Sequence, residues 1–103
     1  MTYKSALQAV ADPMRLQILE RLREGPRPAG QIAAGLPVTR PAVSQHLKVL
    51  KDAGLIEERR EGTRRIYAAN PAALGELRAF IDGLWRDALN AFADFTDKTE
   101  DSK

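Results

Sequence analysis

One segment in the middle of the chain is both amphipathic and capped at its start, and it constrains the fold more than any other. The segment runs from Thr39 to Leu50 with the sequence TRPAVSQHLKVL. At about 100° per residue, Val43, Leu47 and Leu50 share one stripe of a helix. Thr39 can cap that helix, and Pro41 falls in its first turn, where a missing N–H does no harm. The segment therefore predicts a helix with one apolar side.

The opposite side of this helix is polar and cationic. It carries Arg40, Ser44, Gln45, Lys48 and Lys51, with no carboxylate before Asp52. Short donors, an amide and cations suit a helix that lies in a nucleic-acid groove, and they suit an enzyme site poorly. Taken singly, the cations are equally compatible with a solvated helix surface.

His46, the single histidine of the chain, has two possible roles. By rotation it lies about 60° from the apolar stripe, between the two sides of the helix. It can contact nucleic acid or hydrogen-bond the protein scaffold, and the sequence leaves both roles open.

Further helices are predicted before this one. Residues 3–11 indicate a short helix, and Asp12-Pro13 is a cap and first turn for a second helix that ends near Glu24. We expect the second helix to bury its aliphatic residues, which are Leu16, Ile18, Leu19 and Leu22. Residues 29–35 indicate a short third helix, and a tight turn at 36–38 joins it to the helix at 39–53. Two short helices joined in this way form a helix-turn-helix.

A small hairpin is predicted directly after the helix-turn-helix. Gly54 is placed to end the helix, and a turn at Glu61-Gly62-Thr63 separates two short runs typical of strands. Four arginines cluster near the turn: Arg59, Arg60, Arg64 and Arg65. They can follow a nucleic-acid backbone or enter a minor groove. Alternatively, Arg59 and Arg60 can pair with glutamates of the hairpin, in contacts that contribute little.

The last predicted helix begins at Asn70-Pro71 and carries an unusually long apolar stripe. Steps of three and four residues continue for about six turns, through Leu74, Leu77, Phe80, Ile81, Leu84, Trp85, Ala88, Leu89, Phe92 and Phe95. One side of a small domain cannot cover this much apolar surface. We expect part of it to form a dimer interface, made by Tyr3, Leu7, Leu77, Phe80, Ile81, Leu84, Trp85, Leu89 and Phe92.

Length and composition limit the number of domains and the classes of protein to which the chain can belong. The 103 residues suffice for one domain, which we place at 1–97, followed by a polar tail at 98–103. The chain has no cysteine, no apolar run of the roughly 20 residues that a membrane span needs, and no secretory signal pattern. Disulfides and thiolate metal sites are excluded, and we expect a cytoplasmic protein without cofactor.

Charge is distributed unevenly along the chain. The net charge is +5 through Ala69 and −3 from Asn70 onward. A basic front indicates contact with a polyanion. On duplex DNA, Arg40 can bond guanine and Gln45 adenine, while Thr39 and Ser44 can bond phosphates or base edges.

Three blocks of the sequence resemble the ArsR/SmtB family of bacterial repressors. They are DPMRLQIL at 12–19, VSQHLKVLKDAGLI at 43–56 and RREGTRRIY at 59–67. The resemblance implies a dimeric winged helix-turn-helix repressor that binds a pseudo-palindromic operator. It also implies that Thr39 to about Lys48 read the major groove, that the hairpin touches the DNA backbone, and that the first and last helices form the dimer.

The metal ligands of that family are missing from the matching positions. Residues 29–36, AGQIAAGL, contain no ligand, and the last helix has Asp82, Asp87 and Asp94 but no histidine. The chain thus resembles a member that does not sense metals, and its sequence does not reveal whether an effector exists.

These observations predict a mainly α fold, a winged helix-turn-helix of five helices and a two-stranded wing. The function they favour is sequence-specific DNA binding in transcriptional repression. The alternative is a winged-helix module that binds proteins, although the polar helix surface argues against it. An enzyme is not expected, because no nucleophile–base pair or phosphate loop occurs.

Overall fold

The computed structural model of the chain describes the backbone of residues 3–101 and the side chains of residues 4–98. Within this range it confirms the predicted mainly α fold with a wing. The helices are α1 (Tyr3–Val10), α2 (Pro13–Arg21), α3 (Ala29–Ala33), α4 (Arg40–Asp52) and α5 (Pro71–Asp101). The strands are β1 (Arg27–Pro28), β2 (Ile56–Glu61) and β3 (Arg64–Ala69), and a 3-10 turn at Leu22–Glu24 follows α2.

Side-chain caps hold the starts of two predicted helices. At the start of α2, Asp12 Oδ1 accepts hydrogen bonds from the backbone N–H of Met14 (2.8 Å) and of Arg15 (3.1 Å). At the start of α4, Thr39 Oγ1 accepts one from the N–H of Ala42 (3.2 Å). These bonds satisfy N–H groups that have no partner inside the helix. The predicted caps at Asp12 and Thr39 are confirmed, and Asn70 caps the start of α5 in the same way.

The core lies between the helices and the base of the wing. Its largest fully buried side chains are those of Ile18, Ile32, Leu50 and Leu55. On α4, Val43, Leu47 and Leu50 are at most 2% exposed, so the predicted apolar stripe is confirmed. Because these three residues occupy one side of α4, its opposite side is left to solvent.

The sheet has one strand more than the sequence predicts. Its three strands are antiparallel, in the order β1–β3–β2. The additional strand contains only Arg27 and Pro28, which lie opposite Tyr67 and Ile66 of β3. Two residues cannot display an alternating pattern, and the proline is compatible with an edge position. The fold places β1 beside β3, and the local sequence gives no signal for this pairing.

The predicted burial of Leu16 is wrong. Ile18 and Leu22 are buried and Leu19 is half-buried, but Leu16 is 46% exposed. Its position on α2 turns it toward an open groove beside the first turns of α5, where none of the described side chains covers it.

Helix α5 is longer than predicted. It contains 31 residues and continues through Asp101, whereas the sequence suggests that the helix gives way to a polar tail after residue 97. No glycine or proline follows Gly83 to stop it. Thr96 Oγ1 also donates to the backbone oxygen of Phe92 (2.6 Å), so this polar side chain is accommodated within the helix.

Replacing Asn70 by Ala is expected to lower the free energy of unfolding by about 1 kcal/mol. Asn70 Oδ1 accepts hydrogen bonds from the N–H of Ala72 (3.1 Å) and Ala73 (3.4 Å), and Nδ2 donates to Gly54 O (3.2 Å). Urea denaturation measures the change. Asn70→Asp keeps the capping oxygen and removes the amide donor, so an equal loss in this variant would contradict a capping role.

Acid is expected to destabilise the chain through Asp12. Hydrogen bonding from the backbone N–H of Arg15 is the main cause that holds the pKa of Asp12 below its ordinary value of 3.8. A lowered pKa adds stability above the unfolded-state pKa, and this stability is lost as the pH falls through the folded-state pKa. The free energy of unfolding should therefore fall less on acidification past pH 3.8 in Asp12→Asn than in the natural chain.

Candidate nucleic-acid interface

The polar side of α4 is open to solvent. Arg40, Ser44, Gln45 and Lys48 are exposed, as is the capping residue Thr39. Packing of the apolar stripe on the core fixes the rotation of the helix about its axis. The donors and cations of α4 therefore lie together on one accessible surface.

Carboxylates partly neutralise the second half of this surface. Lys48 Nζ lies 3.0 Å from Asp52 Oδ2, and Lys51 Nζ lies 3.8 Å from Glu58 Oε2 on β2. The Lys48–Asp52 pair is exposed and therefore weak, and Lys51 is itself exposed although Glu58 is half-buried, so a polyanion can compete for both lysines. Arg40, at the other end of α4, makes no ion pair with any carboxylate that the structure describes.

For His46 the structure favours the scaffold role. The side chain is half-buried, and Nδ1 lies 3.5 Å from Arg15 Nη1 on α2. Arg15 also donates from Nε to Ala9 O (2.6 Å) and from Nη2 to Gln8 O (3.2 Å). His46 is thus part of a set of contacts that joins the end of α1 to α2 and α4.

The strand register divides the four wing arginines between the two faces of the hairpin. Arg60 lies directly opposite Arg65, on the same face as Glu58 and Tyr67. Neither arginine pairs with a carboxylate among the described residues. Like charges directly opposite each other in a sheet are unfavourable unless an anion lies between them. This arginine pair is therefore a candidate site for a phosphate.

On the other face of the hairpin, one of the glutamate pairings left open by the sequence is present. Arg59 Nη2 lies 2.7 Å from Glu61 Oε1, and both side chains are exposed. Arg64 is directly opposite Glu61 in the register, without an ion pair to a described carboxylate. The net charge of this face is lower than that of the face with Arg60 and Arg65.

The wing and α4 together form a cationic notch. Arg40 of α4 meets Arg64 and Arg65 of β3 around a depression of about 490 Å³ at the start of α3. Gln31 and Thr63 line it as well, and it has no carboxylate in its wall. Several guanidinium groups around one depression provide the forked donors that phosphate oxygens accept.

Glu58 of β2 and Tyr67 of β3 lie on the side of the wing that meets α4, and sequence reasoning did not assign them to the site. Together with Gln45, Lys48 and Arg65 they line a depression of about 530 Å³. Burial raises the pKa of the Tyr67 phenol, and a hydrogen bond with Glu58 raises it further. Glu58 and Tyr67 join the site only because the wing packs against α4. The sequence of a single strand does not predict this packing.

The predicted dimer residues lie on α1 and α5. On α5, Ile81, Leu84, Trp85, Leu89 and Phe92 are exposed. Leu77 and Phe80 are half-buried, as is Leu7 on α1. The side chain of Tyr3 lies outside the described residues. Phe95 continues the same stripe and is 67% exposed, although the predicted interface omits it.

Neither a membrane-spanning helix nor a cluster of metal ligands is present among the described residues. None of the helices in that part of the chain is long and apolar enough to cross a membrane. No three potential ligands among those residues lie close enough to hold a metal ion, and this includes the aspartates of α5.

Comparison with known proteins places this geometry in a family. The family described as "Helix-turn-helix domain" matches residues 10–59. The HTH-type transcriptional regulator Rv2034 of Mycobacterium tuberculosis is 50% identical over 97% of this chain and 96% of its own length. The transcriptional repressor SdpR of Bacillus subtilis is 31% identical over 91% of this chain and 92% of its own length.

A solved structure agrees with these matches. It is the homodimeric winged helix-turn-helix DNA-binding domain Mb0332 of Mycobacterium bovis, described as a possible ArsR-family regulator. It superposes with a TM-score of 0.66 at 33% identity and covers 85% of this chain and 82% of that one.

Fold and site together define a winged helix-turn-helix regulator of transcription. The chain belongs to the ArsR/SmtB family of these DNA-binding regulators. Regulators of this family are not enzymes, in agreement with the sequence-based expectation.

Replacing Arg15 by Met is expected to lower the free energy of unfolding by about 1–3 kcal/mol, because two backbone carbonyl groups lose their charged donor. Arg23→Met, at an exposed position on the turn after α2, is the matched control. Urea denaturation of both variants measures the difference.

His46→Ala tests the scaffold role of His46. We expect this variant to have a lower free energy of unfolding in urea denaturation. Loss of DNA binding in a mobility-shift titration, without loss of stability, would assign His46 to the interface instead.

Proposed function

We propose that the chain is a homodimeric repressor that binds a pseudo-palindromic operator in double-stranded DNA, with one half-site for each subunit. The observation that carries this proposal is the single surface formed by the polar side of α4 and by Arg60 and Arg65 of the wing, neither of which forms an ion pair with a described carboxylate. A groove-binding helix beside a cationic hairpin provides base contacts and phosphate contacts together.

In this proposal α4 reads bases in the major groove. Gln45 bonds adenine, and Arg40 bonds guanine O6 and N7, since both side chains are exposed on the outer side of the helix. Thr39 and Ser44 bond phosphates or base edges near the start of α4, where the helix dipole favours anions. Lys48 exchanges its pairing with Asp52 for a phosphate.

The wing contacts the DNA backbone. Arg60 and Arg65 receive a phosphate that relieves their mutual repulsion, and Arg64 contributes to the notch beside Arg40. Arg59 is the weakest candidate of the four, because Glu61 already pairs with it. Each phosphate contact releases counterions, so affinity falls steeply as salt rises.

The dimer brings two copies of α4 to one side of the assembly. A single recognition helix contacts too few base pairs for useful specificity, and two-fold repetition over an inverted repeat corrects this. The exposed stripe of α5 supplies the contact surface, with Leu7 of α1 and Leu77 and Phe80 at its border. The homodimeric relative from Mycobacterium bovis supports this arrangement.

Two variants separate base reading from phosphate binding. Gln45→Ala is expected to weaken binding to duplex DNA from upstream of the chain's own gene by about 1–3 kcal/mol, without weakening binding to a random duplex of equal length. Arg60→Ala is expected to weaken both, and to reduce the slope of log affinity against log salt by about 1 for each subunit. Mobility-shift titrations at several salt concentrations measure both effects.

Arg78→Ala on α5 is the matched control for the loss of a cation. Arg78 is exposed and pairs with Asp82 (3.7 Å), so its replacement should leave both affinities unchanged. Binding that does not depend on salt, or equal effects of Gln45→Ala on the two duplexes, would contradict the proposed operator recognition.

A further inference from the structure

The short helix α3 ends in backbone carbonyl groups that the helix itself cannot satisfy. It contains five residues, with no basic side chain in its last turn. The last carbonyl groups of a helix lack partners within it, and a helix of this length is not stable by itself. The geometry of the helix-turn-helix therefore depends on donors that reach the end of α3 from another part of the chain.

A single guanidinium group supplies these donors. Arg21, the last residue of α2, is half-buried. Its Nη1 donates to Ile32 O (3.2 Å) and to Ala34 O, and it lies 3.5 Å from Gln31 O. Arg21 forms no ion pair with any carboxylate that the structure describes. A cation at the C-terminal end of a helix is favourable, and its hydrogen bonds are stronger than those of a neutral donor.

The backbone of Arg21 is bonded to the sheet as well. Its carbonyl oxygen accepts a hydrogen bond from Nε of Arg27 (2.7 Å), which belongs to β1. In the sheet, Arg27 lies opposite Tyr67 of β3, one of the two strands of the wing. Arg21 therefore connects the end of α3, through its side chain, with the sheet that carries the wing, through its backbone.

The connection from the end of α3 to α4 is short and held in place. Residues 35–38 separate Ala34 from Thr39, which caps α4. Gly35 has a φ of 76°, which glycine adopts readily and other residues rarely do, and Leu36 is buried. Since a fixed turn of this length cannot absorb a displacement, a shift of the end of α3 passes to the start of α4.

We infer that Arg21 is a positioning residue for operator recognition. Packing on the core fixes the rotation of α4 about its axis, whereas Arg21 fixes where α4 begins relative to the wing. The inference rests on the proposed function. It adds a residue whose donors are used within the protein, so that it acts on DNA binding only through the placement of α4.

This role predicts a loss of sequence discrimination. A binding site must be held within about 0.5 Å of its productive geometry. Sequence is read at base edges, whereas contacts to phosphates carry no sequence information. Non-specific binding depends on charge and is independent of sequence. A displaced α4 should therefore lose its preference for the operator while the affinity for an arbitrary duplex stays the same.

Arg21→Met tests the role by removing the guanidinium group and keeping an unbranched side chain. The affinity for duplex DNA from upstream of the chain's own gene, divided by the affinity for a random duplex of equal length, should fall about fivefold or more, the contribution of one base contact. The affinity for the random duplex and the slope of log affinity against log salt should stay unchanged, because Arg21 contacts no phosphate. Mobility-shift titrations at several salt concentrations measure these quantities.

Two further variants make the test specific. Arg23→Met is the matched control, since it removes an exposed cation close to Arg21 in the chain and should leave the affinity ratio unchanged. Arg21→Lys keeps the charge but replaces the forked donor by a point donor, which is not equivalent where several oxygens are bonded. We expect its affinity ratio to lie between those of the natural chain and Arg21→Met.

Circular dichroism and urea denaturation establish conditions in which each variant is fully folded, so that a loss of stability does not enter the ratio. If Arg21→Met folds, its ratio decides the test, and otherwise that of Arg21→Lys decides it. A natural affinity ratio in the deciding variant would show that Arg21 only stabilises the fold, and would overturn the inference. Weaker binding to both duplexes with a lower salt slope would assign Arg21 to a phosphate contact and overturn it as well.

Both of these results leave the proposed operator recognition standing, because the natural chain still discriminates between the two duplexes. A natural chain that binds the upstream and random duplexes equally would instead overturn the proposed function, and the positioning role of Arg21 with it.

Discussion

The packing of one side of α4 on the core is the interaction on which the rest of the structure depends. Val43, Leu47 and Leu50 are removed from water, and a rotation of the helix would expose them at a cost of about 1.5–3 kcal/mol for each side chain. This cost keeps the opposite, polar side of α4 facing solvent. The direction in which Ser44 and Gln45 point is therefore a consequence of core packing, and the proposed DNA recognition uses a surface that folding has already oriented.

Ion pairs then divide the surface of α4 and the wing into a partly neutralised region and a cationic region. Lys48 and Lys51 are partly neutralised by carboxylates of the same chain, whereas Arg60 and Arg65 lie opposite each other and form no ion pair with a described carboxylate. Repulsion between these two arginines is tolerated on an exposed hairpin, and in the proposed complex a phosphate relieves it. Cations without a described ion pair are therefore concentrated at the wing and the notch, and in the proposed complex the middle of α4 is left to hydrogen bonds that discriminate bases.

Helix α2 joins an open apolar groove to the recognition helix. Leu16 and Leu19 of α2 line the groove beside the first turns of α5, and Arg15 of α2 contacts His46 of α4. The element that positions α4 is therefore also a wall of this groove.

The sequence by itself determined the helices, their caps, the helix-turn-helix and the existence of a wing. Each of these depends on residues close in the chain, such as Thr39 with Ala42 or Asn70 with Ala72, and on periodic apolar positions. Only the tertiary structure decided the pairing of β1 with β3, the exposure of Leu16, the contact between Arg15 and His46, and the place of Glu58 beside Lys51. These features join residues that are distant in sequence, and such contacts form only when packing of the whole chain brings the elements together.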